Sequence, residues 1–576
     1  MNDREEQTTY FAKTDFRGKE TQFGIRAKDR TRHMYVVGKT GMGKSTLLEN
    51  MAAQDILNGN GMAFIDPHGS AVETLLSYIP KERIKDVIYF APFDIDNPIS
   101  FNIMEDVGYD KRHLVVSGLM SAFKKIWLDQ WSSRMEYILT NTLLALIEFP
   151  DSTLLDINRM LINKDFRKKV LEQVSDPIVK LFWEDEFAKY TDRYTQEATP
   201  AIQNKIGQFV SNPLIRNIVG QPKSSFDFRE VMDNKKIVIM NLSKGRMGEQ
   251  NADLIGSMLI IKIYLSAMSR ADRGPSDIQK LPNFYFYVDE FQSFANETFA
   301  NILSEARKYK LNLTIAHQYI EQMPDEVRSA VFGNVGTMAM FRVGAIDAEV
   351  LEKELSPTFA ADDLVNLGIY QIYLKLMIDG LTSAPFSATT LPPLPLPDVS
   401  FVEEVIQTSR EKYSQPRLEV ERIIQERIQS VEKEKSEEKT EKRSSSGESR
   451  KERPPRAQER TQKPPREFSG DQREKRNTSF KKEPPEGSLK EKQTEVPVSL
   501  NMLGGTHKKD TPSSSPNLKE LRSALAEALR EEEEEKKEVP KSAPESTPQN
   551  KFQEAGEKTI PEIPEDKLRK TLRIDE

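Results

Sequence analysis

Short apolar runs bounded by glycine and polar clusters alternate with helical periodicity over the first hundred residues, a pattern that predicts an α/β unit. His33-Met34-Tyr35-Val36-Val37 reads as a short buried strand. Ser45 to Asn58 reads as the helix after it, with Leu47, Leu48, Met51 and Ile56 near helical spacing. Gly61-Met62-Ala63-Phe64-Ile65 predicts a second buried strand, ending in Asp66-Pro67-His68-Gly69, and Val87-Ile88-Tyr89-Phe90 a third. The polar residues 1–30 hold Tyr10-Phe11 and Phe23-Gly24-Ile25 as edge strands, too little for an independent domain.

Between residues 105 and 225 the period changes. Helical spacing dominates, as in Trp131 to Leu139 and Phe166 to Tyr190, and strands are scarce, which predicts an all-helical insertion. Strands and helices alternate again from 226 to 400. Lys236 to Met240 is a strand, Asn251 to Arg270 a helix, and Phe284-Tyr285-Phe286-Tyr287-Val288 a strand running into Asp289-Glu290. A helix through Phe299 to Tyr309 and a strand from Leu311 to Gln318 follow. The expected fold is therefore one α/β sheet built from 31–104 and 226–400, with an all-α domain at 105–225 inserted between its halves.

From 401 onward Glu, Lys, Arg, Ser and Pro take over, and the expectation is a long disordered tail, because such a composition buries too little apolar surface to offset chain entropy. Two islands in it have helical apolar spacing: Leu418 to Val431, and Leu518, Leu521, Leu525 and Leu529. Such a leucine face serves as a docking helix for a partner or forms only transiently in a solvated tail.

Composition narrows the chemistry. The chain has 576 residues, 37% hydrophobic and 30% charged, enough for two or more globular domains and a polar region. Without cysteine there are no disulfides, thiolate zinc sites or cysteine nucleophiles. Five scattered histidines do not make a metal cage. Met1 to Glu6 lack the apolar core of a signal peptide. The longest apolar stretch, Met258 to Met268, is interrupted by Lys262 and falls short of the roughly 20 residues that span a bilayer. A cytoplasmic protein is expected, soluble or held at the inner face of the membrane by a partner. The net charge of −7 does not exclude nucleic acid, because residues 401–576 carry 38 Lys or Arg and 38 Asp or Glu, so the acidic excess lies in the body. Ser243-Lys244-Gly245-Arg246, and basic residues around 450–483, are the weak DNA-contact candidates, each more often a solvated loop than a DNA site.

The candidate chemistry sits where strands end. Gly38-Lys39-Thr40-Gly41-Met42-Gly43-Lys44-Ser45, followed by Thr46, has the spacing of a phosphate-binding loop. Its glycines let backbone N–H groups close around phosphate oxygens, Lys44 reaches the terminal phosphates and the Ser45 hydroxyl holds Mg²⁺. The helix after the loop points its positive end at the phosphates. Asp289 supplies a carboxylate for the Mg²⁺ shell, and Glu290 a base that orients and deprotonates water. That pair favours ATP hydrolysis with Mg²⁺ over binding alone. Asp66 and His68, at another strand end, either face this site or form a turn capped by Gly69.

The blocks Asp29 to Gly38, Ile65 to Gly69, Pro98-Ile99-Ser100-Phe101-Asn102, Val288-Asp289-Glu290-Phe291, Ser304 to Tyr309 and Ala316-His317-Gln318 appear in a specific order. In it the chain resembles the type IV secretion coupling proteins of the TraG/TraD class and, more broadly, the HerA/FtsK superfamily of ring-forming DNA-pumping ATPases. The likeness covers roughly residues 8–395. It implies a RecA-like motor domain interrupted by a helical domain and assembled as a hexamer on single- or double-stranded DNA. It also implies Lys44 and Ser45 on phosphates and Mg²⁺, Asp289 on Mg²⁺, Glu290 as base and Gln318 as γ-phosphate sensor. Arg307 then completes a neighbour's site, with a surface ion pair to Glu305 as its other reading and Arg342 as its rival. A secretion or DNA-processing protein is the expected partner of 105–225 or the tail. Membrane-bound members carry N-terminal transmembrane helices and HerA-type motors a small β-barrel, and neither pattern is read in the first 30 residues. The alternatives are an ATP-driven protein-transfer or assembly motor of a secretion apparatus, and a HerA-like DNA-processing translocase.

Overall fold

Seven apolar runs form the centre of the structure because all their residues but the half-buried Tyr89 are buried, the pattern of strands covered on both faces. They are β3 (Met34–Val37), β4 (Gly61–Asp66), β5 (Val87–Phe90), β6 (Ile237–Asn241), β7 (Phe284–Val288), β8 (Leu311–His317) and β9 (Thr337–Met340). The computed structural model describes residues 6–16, 19–191 and 199–428. Four antiparallel strands extend the sheet: β1 (Thr8–Phe16), β2 (Lys19–Arg26), β10 (Gln371–Lys375) and, after a small hairpin of β11 (Met377–Ile378) and β12 (Leu381–Thr382), β13 (Phe386–Thr390). The order across the sheet is β2-β1-β13-β10-β9-β3-β8-β7-β4-β6-β5. This is the RecA-like α/β arrangement, with β8 standing between the strand that leads into the phosphate loop and the acidic strand.

Register turns that order into a site. Val37 pairs with His317, and Val288 with both Ile315 and Ile65. Gly38, Gln318 and Asp289, which follow these strands, and Asp66, which ends β4, therefore emerge along one edge, where ligands bind in such sheets.

The two faces carry separate cores. On one, the helix Lys44–Leu57 lays Leu47, Leu48, Met51 and Ile56 against Met34, Val36, Phe64 and Tyr287. On the other lie the helix Glu249–Met268 and the helices between β5 and β6, from Tyr109–Ile126 to Pro213–Val219. Glu249–Asp272 is long and apolar enough to cross a membrane by length and composition, but 83% of its apolar window is buried in the fold. Its Ile261 meets Gly118 of Tyr109–Ile126 so closely that a Cβ on Gly118 would lie 2.9 Å from Ile261 Cγ2. The inserted helices thus share a core with the sheet they interrupt.

Arg30 anchors the N-terminal strands. Its buried guanidinium holds the Asp55 carboxylate at 2.8 Å through both Nη1 and Nη2, donates to Tyr287 Oη and lies 3.7 Å over the Tyr285 ring. A buried charge is tolerated there because every face of it is paired.

The expected disorder from 401 is corrected over its first 28 residues. Val402–Tyr413 is a helix, Ser414 bridges Ile99, and a second helix covers 417–428. Val405, Ser409 and Tyr413 recur at helical spacing and are buried, as are Val420 and Ile424. Ser409 Oγ accepts from the Tyr89 amide at 2.9 Å, and Arg410 pairs with Asp94 at 2.7 Å. Arg427 reaches Asp156 at 3.1 Å, tying this segment to the inserted helices as well. The helix 417–428 falls on the island of helical spacing at Leu418 to Val431, whereas charge averaged over the whole C-terminal region hides the one-residue-wide stripe of Val405, Ser409 and Tyr413. The remainder of the expected tail, with Leu518 to Leu529, lies outside the described residues.

Candidate nucleotide-binding site

The loop Gly38 to Gly43 folds as its glycines require. A Cβ on Gly38 would lie 2.5 Å from Phe341 Cβ, and Gly43 sits at φ 112, a conformation open to glycine. The helix that follows starts at Lys44, so its unpaired N–H groups and positive end face the concavity of the loop. The Lys44 side chain is buried, with Nζ donating to Lys39 O at 3.2 Å. Burial lowers its pKa, opposed by the nearby Glu290 and Asp289.

Ser45 Oγ donates to Asp289 Oδ2 at 2.9 Å. Burial, with Asp66 and Glu290 alongside, pushes the Asp289 carboxyl up to about 6. A hydroxyl and a carboxylate in contact amid excess negative charge suit a hard divalent cation. Among the described residues no cluster of three or more His, Cys, Asp or Glu forms a cage for a metal. Ser45 and Asp289 are the two protein oxygens that would hold Mg²⁺, which completes its shell with phosphates and water.

Glu290 has φ 46 and ψ 52, a left-handed conformation uncommon for a side-chain-bearing residue. Three contacts hold it there. Its own N–H donates to Asp289 Oδ1 at 2.9 Å, Gln318 Nε2 donates to Oε1, and Gln292 Nε2 donates to Oε2. Gln318 Oε1 in turn accepts from Thr40 Oγ1 at 2.9 Å. One glutamine side chain therefore joins the phosphate loop to the acidic residue. Lys125, at the end of Tyr109–Ile126 in the inserted region, donates through Nζ to Gln292 O at 2.7 Å. Burial brings the Lys125 amine down to about 8, with Asp253 opposing the fall.

The remaining sequence candidates divide. Asp66 serves the turn: its carboxylate accepts from His68 N at 2.7 Å and Ala71 N at 2.9 Å, capping the helix Ser70–Leu76, while its charge acts on Asp289. His68 is largely exposed, with Nε2 3.9 Å from Glu290 Oε1. Arg342 follows β9 beside the loop, and its carbonyl accepts from Lys39 N at 2.8 Å. Arg307 is exposed in the turn Ala306–Tyr309 before β8, near Arg32 at the opposite end of the sheet. The seven residues of β8, about 23 Å of strand, separate it from Gln318. Glu305, the expected partner of Arg307, pairs instead with Lys308 at 2.8 Å. The two DNA candidates are engaged within the chain. Lys244 pairs with Glu249 at 2.8 Å and Asp253 at 3.3 Å. Arg246 pairs with Glu73 at 3.5 Å and stands 4.5 Å over the Phe93 ring.

Three participants escape a reading of the sequence. Gln292 and Lys125 carry no local signal, since their roles come from a loop conformation and a helix packed on it. Glu49 did leave one: it follows Ser45 by four residues, one helical turn further along the same face. Burial, with Asp289 and Asp66 nearby, pushes its carboxyl up to about 7.

The family model of the type IV secretion-system coupling protein DNA-binding domain matches residues 22–350. The chain belongs to this family. Its fold is similar to that of a bacterial conjugative coupling protein, TrwBdeltaN70, at 14% identity and TM-score 0.49, over 69% of this chain and 92% of that one. It is similar to plasmid coupling protein TrwB in complex with ADP and Mg²⁺ at 17% identity and TM-score 0.49, over 66% and 89% of the two chains. For VirB4 of Thermoanaerobacter pseudethanolicus the identity is 12% and the TM-score 0.43, over 63% and 90%. No curated protein matches the chain. In this coupling-protein family member the matched span contains the phosphate loop, the inserted helices, Asp289, Glu290 and Gln318.

Proposed function

We propose that this coupling-protein family member binds ATP with Mg²⁺ and hydrolyses it, and that a ring of its subunits, a hexamer, uses turnover to move DNA. The observation that carries the hydrolytic part is the support of Glu290. A binding module has no use for a strained carboxylate held from two sides by Gln318 and Gln292.

In this reading the N–H groups of Thr40 to Gly43 and the Lys44 ammonium hold the β- and γ-phosphates, while the amides of Gly38 and Lys39 stay bound to His317 O and Arg342 O. Mg²⁺, held by Ser45 and Asp289, neutralises charge developing on the phosphoryl oxygens. Glu290 orients a water in line with the γ-phosphorus and takes its proton. Gln318 reports the γ-phosphate, because a new acceptor oxygen beside it competes with Glu290 for the Gln318 Nε2 donor and with Gln318 Oε1 for the Thr40 hydroxyl. Arg307, exposed and remote from its own loop, is assigned in this reading to a neighbour's site, where such fingers add roughly 10³ to 10⁵ in rate. Mixed rings of Arg307→Ala and Glu290→Gln subunits then recover part of the turnover that each variant alone lacks, and a lack of recovery removes Arg307 from this role.

Membership of a family whose matched domain is described as DNA-binding supports DNA as the load. The protein works in the cytoplasm, at the inner face of the membrane through a partner held by 105–225 or the C-terminal region. The test is the ATP hydrolysis rate with and without single- and double-stranded DNA. Stimulation that falls with salt is expected. A rate indifferent to both forms rejects DNA as the load and favours a protein cargo.

A further inference from the structure

Loop, helix and acidic strand account for the phosphates and leave the rest of the nucleotide without a site. Tyr370, in the segment between the helix Ala361–Val365 and β10, stands beside the loop with φ 66, in the left-handed region where a bulky side chain is an outlier. Its main chain is fixed on both sides. The Tyr370 amide donates to Met42 O at 3.1 Å, and its carbonyl accepts from Thr390 N at 2.9 Å. The ring edge covers Gly43, where a Cβ would meet Tyr370 Cδ1 at 2.6 Å. Even so, Tyr370 remains 44% exposed. An aromatic ring is thus held in a strained, doubly anchored position against the phosphate loop while presenting surface to solvent. Strain of this kind persists where the surroundings impose it, and it clusters at ligand sites.

The sheet order gives the direction of a bound nucleotide. Glu290 and Gln318 follow β7 and β8, both on one side of β3, so the γ-phosphate end lies on that side. β9 and β10 lie on the other side, and Tyr370 leads into β10 there. A triphosphate in the loop with its terminal phosphate at Glu290 directs its ribose and base toward Tyr370.

We propose that the Tyr370 ring is the stacking platform for the nucleobase, and that it accepts adenine and guanine alike. A π-face binds every base and carries no hydrogen-bond pattern to tell one purine from another. The proposal rests on the reading of Gly38 to Thr46 as a nucleoside triphosphate site.

The test is calorimetric binding of Mg·ATP, Mg·GTP and base-free inorganic tripolyphosphate to the full chain and to Tyr370→Phe, Tyr370→Leu and Tyr370→Ala. Tyr370→Phe keeps both nucleotides within about twofold. Tyr370→Ala and Tyr370→Leu weaken ATP and GTP to the same extent, about tenfold or more, and leave tripolyphosphate unchanged. Leucine fills much of the ring's volume without its π-face, so it decides the matter if alanine disturbs the loop. Unchanged ATP binding in both variants overturns the proposal. So does an equal loss of tripolyphosphate in both, which would make the ring a support of the loop alone. Preference of the wild type for one purine by more than tenfold overturns the claim of indifference. Failure of the wild type to bind either ATP or tripolyphosphate overturns the nucleotide site itself, an outcome distinct from the others.

Discussion

Ser45 Oγ donates to Asp289 Oδ2 across 2.9 Å, so the first turn of the loop helix is joined directly to the end of the acidic strand. The contact holds the two oxygens that would bind Mg²⁺, but with Asp66 and Glu290 nearby it leaves a buried carboxylate short of positive charge.

This has a measurable consequence for stability. Asp289 is pushed from its ordinary 3.8 up to about 6, chiefly by burial and then by Asp66 and Glu290. A carboxyl raised in the folded state keeps its proton there while the unfolded chain has lost it. Its contribution to stability is therefore present at low pH and is lost as pH rises from about 4 to about 6, on the order of 3 kcal/mol in all. Without Mg²⁺, Asp289→Asn is expected to melt several degrees above wild type at pH 7.5, with a smaller difference at pH 4.5. A variant that melts lower at pH 7.5 contradicts the account. Glu49, raised to about 7, adds a slope of the same sign that extends to higher pH.

Lys125 ties the inserted helices to the acidic strand's loop. Its ammonium holds the carbonyl of Gln292, whose side chain holds Glu290. Lys125→Met is expected to lower kcat roughly tenfold or more, through misplacement of the base, and to leave the ATP dissociation constant within about threefold. Lys125→Arg restores part of the loss. Equal losses in kcat and in binding would show that the lysine supports the fold and not the position of Glu290.

Much of this was legible in sequence, for identifiable reasons. The buried strands are continuous apolar runs, and the phosphate loop has fixed spacing, so β3, β4 and β7 and the residues Gly38 to Thr46, Asp289 and Glu290 can be named from the chain alone. What links them cannot. Gln292 acts through the strained turn at Glu290, Lys125 through a helix packed from a distant stretch, and Tyr370 through an anchored loop more than 300 residues after Gly43. Val420 and Ile424 lie in the island Leu418 to Val431 whose helical spacing is legible, but Val405 and Tyr413 are masked by the charged residues around them, because solvated helix faces and disordered tails share a composition.

These buried residues move the point at which the chain can be shortened. Deleting 429–576 is expected to leave melting temperature and basal ATP turnover near those of the full chain. Deleting 401–576 uncovers what Val405, Tyr413, Val420 and Ile424 pack against, each worth about 1.5–3 kcal/mol of burial. Thermal melting should then fall by well over 5 °C. Equal stability of the two truncations would mean that the helices 402–413 and 417–428 contribute nothing to the fold.

Hydrolysis at this site by a carboxylate held on Gln318 is tested most directly by comparing turnover with binding in Glu290→Gln. The account predicts a kcat at least about 10³ below wild type, with ATP bound within about threefold of wild-type affinity. Gln318→Ala should fall by about 10² under the same criterion. Turnover by Glu290→Gln within tenfold of wild type would contradict the assignment of Glu290 as the base.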